Sequence, residues 1–227
     1  MTRSAVYVDG FNLYHAINDL NEPYLKWLNL WRLSELMSKG HATVVTEVVF
    51  CTAFFPGDTG KRSRHTAYID ALANVGVETR LGHTTKEPME CEADKKGCGK
   101  RWDAPREKET DINVSLAAYR GAVTDRYDVC FIVSADTDQA ATFRALKRDF
   151  PNKKLITVVP PGRPPSTHLT SLANSTLKLT KDHIDLCAFP ALVAKQGART
   201  IPRPPEYAPP VGWFHPDDRP QKKVNSN

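Results

Sequence analysis

No stretch of this chain is apolar and long enough to cross a bilayer, and its 12 glycines nowhere gather into a phosphate-cradling loop behind a strand. The first absence argues against a membrane span. A β-rich run beginning at residue 4 leaves no room for a signal peptide, so the expected location is cytoplasmic, with no membrane partner. The second absence excludes P-loop and dinucleotide-binding folds. Cysteine is scarce and odd in number, at positions 51, 91, 98, 130 and 187, so no disulfide framework is expected. Cys51 and Cys130 fall in apolar runs, where a thiol serves as a small hydrophobe. Charge is not strongly one-sided: 31 Lys and Arg against 26 Asp and Glu leave +5, which favours a polyanionic partner without identifying one.

What is present is a set of apolar runs that stop at aspartates. Residues 129–133 are β-branched and aromatic without charge, as in a strand buried on both faces of a parallel sheet. The run ends in Ser134, Asp136 and Asp138, and then Phe143, Leu146 and Phe150 repeat at helical spacing. Residues 4–8 form a second such strand, which stops at Asp9 with Gly10, Phe11 and Asn12 behind it. Asp-Gly would suit a hairpin, but Leu13, Ile17 and Leu20 keep a helical period, so this too is a strand, an acidic turn and a helix. In open α/β sheets ligands bind at the carboxyl ends of strands, where two carboxylates suit a hard cation. The plainer alternative is a capping aspartate with a second acid near the helix dipole.

Further strands are expected over residues 43–55, 77–81, 154–159 and 177–179. Helices are expected within 24–37, over 61–75 with Ile69, Leu72 and Val75 inward, and over 166–176 and 181–186. Residues 107–123 carry Ile112, Leu116, Tyr119 and Val123 at helical spacing, an amphipathic helix with Asp111 in its first turn. Residues 83–106 lack periodicity and read as an inserted loop. Cys91 and Cys98, with His83, could form part of a structural zinc site, although no fourth ligand is visible, and reduced thiols are the alternative. Lys61, Arg62 and Arg64 lead one helix; Lys95, Lys96, Lys100 and Arg101 lie in the loop beside Trp102, and both groups are candidate RNA contacts. Eight of the 17 prolines follow residue 189, so the expected organisation is a domain over 1–189 and an extended or disordered basic tail over 190–227.

Alternating strands and helices imply a mainly parallel sheet with helices on both faces, with the strand ends carrying Asp9, Asp136 and Asp138 on one rim. The first turn of the 107–123 helix can bring Asp111 there. Such carboxylates cannot all ionise without compensation, for which a divalent cation is the usual means.

Three segments, VDGFN around Asp9 and Asn12, EKETD at 107–111 and SADTD at 134–138, resemble the acidic motifs of NYN-domain proteins, PIN-like ribonucleases of the LabA and DUF88 type. The resemblance implies a PIN-like three-layer α/β/α sandwich and Mg²⁺ or Mn²⁺ held by Asp9, Asp111, Asp136 and Asp138. It further implies Asn12 and Ser134 in support, hydrolysis of single-stranded or structured RNA, and a homodimer. A non-catalytic RNA-binding scaffold is the alternative. An aspartyl-phosphate phosphotransferase is disfavoured because Phe11 stands where its second aspartate belongs, and a metal-independent ribonuclease would rely on His15, His65 or His168, which read as surface or core residues.

Overall fold

The computed structural model describes residues 1–91 and 98–220. In chain order these fold into β1 (Arg3–Asp9), α1 (Gly10–Asn18), a 3-10 turn (Pro23–Lys26), α2 (Leu30–Ser38), β2 (Val44–Thr52), α3 (Thr59–Asn74), β3 (Glu78–Leu81), β4 (His83–Glu90) and β5 (Arg101–Lys108). There follow α4 (Thr110–Val123), β6 (Val129–Val133), α5 (Ala140–Asp149), β7 (Lys154–Val159), α6 (Thr167–Leu172), β8 (Ser175–Lys178), α7 (Lys181–Leu186), β9 (Leu192–Val193) and β10 (Ile201–Pro202). No helix among the described residues is long and apolar enough to span a membrane.

Six strands make one sheet in the order β3-β2-β1-β6-β7-β8, with every neighbouring pair parallel. The strand order runs outward in both directions from β1 and β6, so the topological switch point lies between them. Alternate residues of each central strand feed opposite cores. Val6, Val8, Phe131 and Val133 pack with Leu13 and Ile17 of α1, Leu33 of α2 and Leu72 of α3. Ala5, Tyr7, Cys130 and Ile132 pack with Val114 and Ala118 of α4, Phe143 of α5 and Leu169 of α6. This is the PIN-like three-layer sandwich that the resemblance implies, and each fully buried large apolar side chain contributes about 1.5–3 kcal/mol to it. Burial also pushes the thiols of Cys51 and Cys130 up to about 12, as fits packing residues.

Three sequence expectations need correction. The inserted loop is an antiparallel hairpin: β4 pairs with β5 from His83↔Lys108 to Glu90↔Arg101, with residues 92–97 outside the described structure. Neither face of this ribbon meets a core, so it has no alternation of apolar and polar residues, and Pro88 and Pro105 further mask it.

The apolar stripe of α4 points away from the sheet: Ile112, Leu116 and Val123 are 60%, 58% and 60% exposed. The buried face is Val114, Ala117, Ala118, Gly121 and Ala122, because α4 lies close to the sheet. A Cβ on Gly121 would overlap the Tyr7 hydroxyl and sit 3.0 Å from the Tyr127 ring. Small side chains, rather than large ones, therefore mark the inner face here.

The tail through residue 220 is an ordered strap and not a separate arm. Val193 and Ile201 enter the first core, and Trp213 packs edge-on against Tyr24 at 5.4 Å between ring centres. The Asp185 carboxylate accepts hydrogen bonds from Trp213 Nε1 (2.7 Å), Tyr24 Oη (3.0 Å) and Arg219 Nη2 (2.5 Å), and Arg32 holds Asp217 through both nitrogens at 2.8 and 2.7 Å. A few anchors suffice for this packing, which composition does not reveal.

Gly121→Ala is expected to lower the free energy of unfolding by about 1–3 kcal/mol through overpacking against Tyr7. Urea unfolding would check this; a gain of the size expected from helix propensity alone, up to about 1 kcal/mol, would show that α4 is not so tightly seated.

Candidate active site

The carboxyl ends of β1 and β6 meet at the switch point, and four residues knit them together. Asp9 ends β1 and caps α1, accepting the Asn12 N–H at 2.9 Å through Oδ1. Its Oδ2 accepts the Ser134 hydroxyl at 3.0 Å. The Ser134 Oγ in turn accepts the Asp136 N–H at 3.0 Å, and the Asn12 side-chain oxygen accepts the Ala135 N–H at 3.0 Å. Asp136 Oδ1 accepts the Asp138 N–H at 3.0 Å and caps the short 3-10 turn Thr137–Gln139. Gly10 permits the tight entry into α1, since a Cβ there would meet the Cys51 carbonyl and the Phe50 ring.

The third acidic segment arrives from the hairpin. Glu109 adopts φ 78°, a left-handed step between β5 and α4, and its carboxylate turns away to His83, 3.2 Å off. Glu107 points inward, accepting the Thr110 N–H at 2.8 Å. Buried Gln139 fixes the first turn of α4: its Nε2 donates to the Asp111 carbonyl at 3.1 Å, while its Oε1 accepts from Ser115 (3.3 Å) and Thr142 (3.1 Å).

The result is an open cavity of about 270 Å³ lined by Asp9, Phe11, Asn12, His15, Glu107, Asp111, Asp136 and Arg163. Asp138 is exposed and outside this lining, but its charge reaches Asp111. Burial raises the pKa of Asp9; the hydrogen bonds from Asn12 and Ser134 offset part of that rise, and the charges of Asp136 and Glu107 add to it. Asp111 is pushed up to about 6, first by burial and then by the charges of Asp9, Asp136, Glu107 and Asp138. The one cation on the lining, Arg163, is engaged by Asp19 at 2.6 Å.

The donor set is hard oxygen with uncompensated negative charge, which fits a divalent cation of the Mg²⁺ or Mn²⁺ kind. Among the described residues, however, no three His, Cys, Asp or Glu side chains are grouped tightly enough to grip one ion directly. The fit is therefore to a hydrated ion held by one or two carboxylates, the usual habit of Mg²⁺.

Sequence reasoning did not single out Glu107, Gln139, Phe11 or Arg163. Glu107 sits in the quoted EKETD segment, but only the fold distinguishes its inward carboxylate from the outward Glu109. His15, expected at the surface or in the core, is exposed at the cavity. His65 packs between Phe50 and Phe54, and burial pushes its pKa down to about 4. His168 lies exposed on α6.

The zinc grouping is not assembled as expected. His83 is at the base of β4 and Cys91 beyond its far end, about 26 Å away at the rise of a strand, so they cannot share an ion. Cys98 is exposed. The candidate RNA contacts fall in two places: Lys61, Arg62 and Arg64 start α3, whereas Lys100, Arg101 and Trp102 sit exposed at the far end of the hairpin. Lys95 and Lys96 lie outside the described residues.

Residues 3–179 match the NYN domain family. The chain is similar to the 6-hydroxy-3-succinoylpyridine 3-monooxygenase HspA of Pseudomonas putida, 24% identical over 246 residues that cover 93% of this chain and 75% of that protein. It is also similar to the crystal structure of a Vibrio parahaemolyticus protein of unknown function, with a TM-score of 0.51 and 20% identity, covering 80% of this chain and 94% of the other. That second likeness speaks for the fold alone.

In the metal-free protein the fold favours protonated Asp111. Its contribution to stability is fully present below its ordinary value of 3.8 and is lost as pH rises through about 6. His65 runs the opposite way, its contribution being lost as pH falls from 6.5 through about 4, and it is common to wild type and variant. In chelator, Asp111→Asn should therefore gain stability relative to wild type between pH 4 and pH 7. Paired thermal melts at pH 4.5 and 7.5 would measure the gap; one that stays constant would show that Asp111 is not under strain from its neighbours.

Proposed function

The chain belongs to the NYN domain family, and on that premise we propose that it is a ribonuclease that hydrolyses RNA phosphodiester bonds with Mg²⁺ or Mn²⁺ at its acidic cavity. One observation carries the reading: Asp9, Asp111 and Asp136, from separate segments of the sequence, line one cavity whose single lining arginine, Arg163, is paired with Asp19 and not with them. Asp9, Asp111, Asp136 and Asp138 are the proposed catalytic and metal-binding set, of which one or two would hold the hydrated ion directly and the others through its waters, and Asn12 and Ser134 position them. Glu107 joins the set.

The bound ion would supply stabilisation of the charge that builds on the scissile phosphate and would acidify water. The chain's own groups do the rest. Asp9, pinned through both oxygens, offers a fixed anionic anchor. Asp136 is oriented by its own turn and faces the cavity. Asp111, half-buried on the cavity wall, is the group placed to take a proton from the attacking water. The water oxygen bonds to phosphorus, the bond from phosphorus to O3′ breaks, and the departing oxygen is protonated by solvent, leaving a 5′-phosphate and a 3′-hydroxyl. The Arg163 guanidinium at the rim can approach a phosphate oxygen of the strand.

The activity printed for the Pseudomonas relative is not carried over. A pyridine substrate calls for a largely apolar, aromatic pocket, and this cavity offers only Phe11 and His15 among its carboxylates.

Incubation of single-stranded RNA with Mn²⁺, Mg²⁺ or chelator, followed by sequencing of the ends, tests the proposal. The expected result is metal-dependent cleavage with 5′-phosphate ends. Asp136→Asn, whose amide oxygen can still cap Asp138, should keep the fold and lose at least about 100-fold in rate. Binding without products in every condition would favour the scaffold reading, and undiminished cleavage by Asp136→Asn would remove the site from consideration.

A further inference from the structure

Beside the acidic cavity, the same rim carries a compact group of cations stacked on aromatic rings. Phe11 and His15, both on the cavity wall, are 6.2 Å apart between ring centres, and Tyr14 lies 5.6 Å beyond His15. Lys26 Nζ sits 5.2 Å from the Tyr14 ring. At the carboxyl end of β2, two residues on from Thr52, the Arg62 guanidinium lies 4.6 Å from the Phe54 ring, and Lys61 Nζ lies 5.0 Å from the Phe55 ring.

Two features set this group apart from an ordinary solvated face. Burial, and after it the charges of Arg64 and Lys61, push the pKa of Lys26 down, so these cations lie close enough to feel one another. Their internal compensation is partial: Lys61 has Asp58 at 3.9 Å and Arg64 has Glu206 at 2.8 Å, while among the described residues Lys26 donates to the neutral Asn18 side chain at 2.7 Å and pairs with no acid. Fixed repulsion of this kind is relieved by a polyanion. The rings, moreover, keep open surface, Tyr14 being 43% and Phe55 41% exposed. Positive charge interleaved with exposed aromatic faces suits a flexible strand whose phosphates meet the cations and whose bases stack. A rigid duplex presents no free base faces.

We propose that Tyr14, Lys26, Phe54, Phe55, Lys61 and Arg62 form a track for single-stranded RNA that leads the strand into the acidic cavity. The identity of the polymer rests on the ribonuclease reading; the track itself is a claim about binding.

The test uses the full chain in chelator, so that nothing is cut, with fluorescence anisotropy of a labelled oligouridylate titrated at several salt concentrations. The triple variant Lys26→Ala, Lys61→Ala, Arg62→Ala should bind at least about tenfold more weakly, and its dependence of log K on log salt should be shallower by about 2, as expected for three lost phosphate contacts on a single strand. The pair Tyr14→Ala and Phe55→Ala should lose about fivefold or more per ring with the salt slope nearly unchanged. The double variant Lys26→Arg, Lys61→Arg should bind as wild type does, which guards against a folding artefact. Unchanged affinity and slope in the charge variant, no binding by wild type, or tighter binding of duplex than of single strand would overturn the track. If binding follows the track but wild type yields no products with Mn²⁺ or Mg²⁺, the cleavage reading fails and the track stands. If wild type cleaves while the charge variant binds as well as wild type, the reverse holds.

Discussion

A carboxylate buried at the end of the first strand is the constraint on which this structure turns. Asp9 is nearly inaccessible, and an unpaired charge there would be costly unless both its oxygens were occupied. They are occupied from two sides: by the backbone of α1 through Asn12 and by the residue that follows β6 through Ser134. The same two residues then reach on to the amides of Ala135 and Asp136. Holding one buried acid therefore also fixes the distance between two strand ends and the direction of the next acid.

Negative charge is concentrated there while the adjoining rim is basic. The cavity gathers Asp9, Glu107, Asp111 and Asp136, while Lys26 lies over the Tyr14 ring of α1, and Lys61 and Arg62 of α3 lie over Phe55 and Phe54 beyond the end of β2. In each patch burial and then like charge disfavour ionisation, of Asp111 in the first and of Lys26 in the second. A cation in the first and a polyanionic strand across the second would relieve both, and neither the small net charge nor the composition hints at such a separation.

How legible each part was follows from what it packs against. Strands β1, β6 and β7 are buried on both faces, so their uninterrupted apolar runs were readable together with the aspartates that end them. The hairpin β4–β5 has no fully buried residue on either strand and leaves no periodic trace of apolar side chains. In α4 the visible stripe misled, because the helix approaches the sheet through alanine and glycine, and the large residues Ile112 and Leu116 were free to face out. The strap after residue 189 is held by isolated anchors such as Trp213 and Asp217, which no composition average registers. Glu107 was hidden because it lies two residues from an equally acidic Glu109, and only the left-handed turn at Glu109 decides which of them faces the cavity.

By itself the sequence determined the alternation of buried strands and helices, and the placement of acids at strand ends, because both are local: a run is apolar where its strand is covered, and a turn residue stands where the strand stops. Tertiary structure alone decided that β1 and β6 are neighbours, which of several acids share the cavity, and which face of α4 is inner. These depend on strand order and on how closely elements approach, and both are settled by packing between residues more than a hundred positions apart.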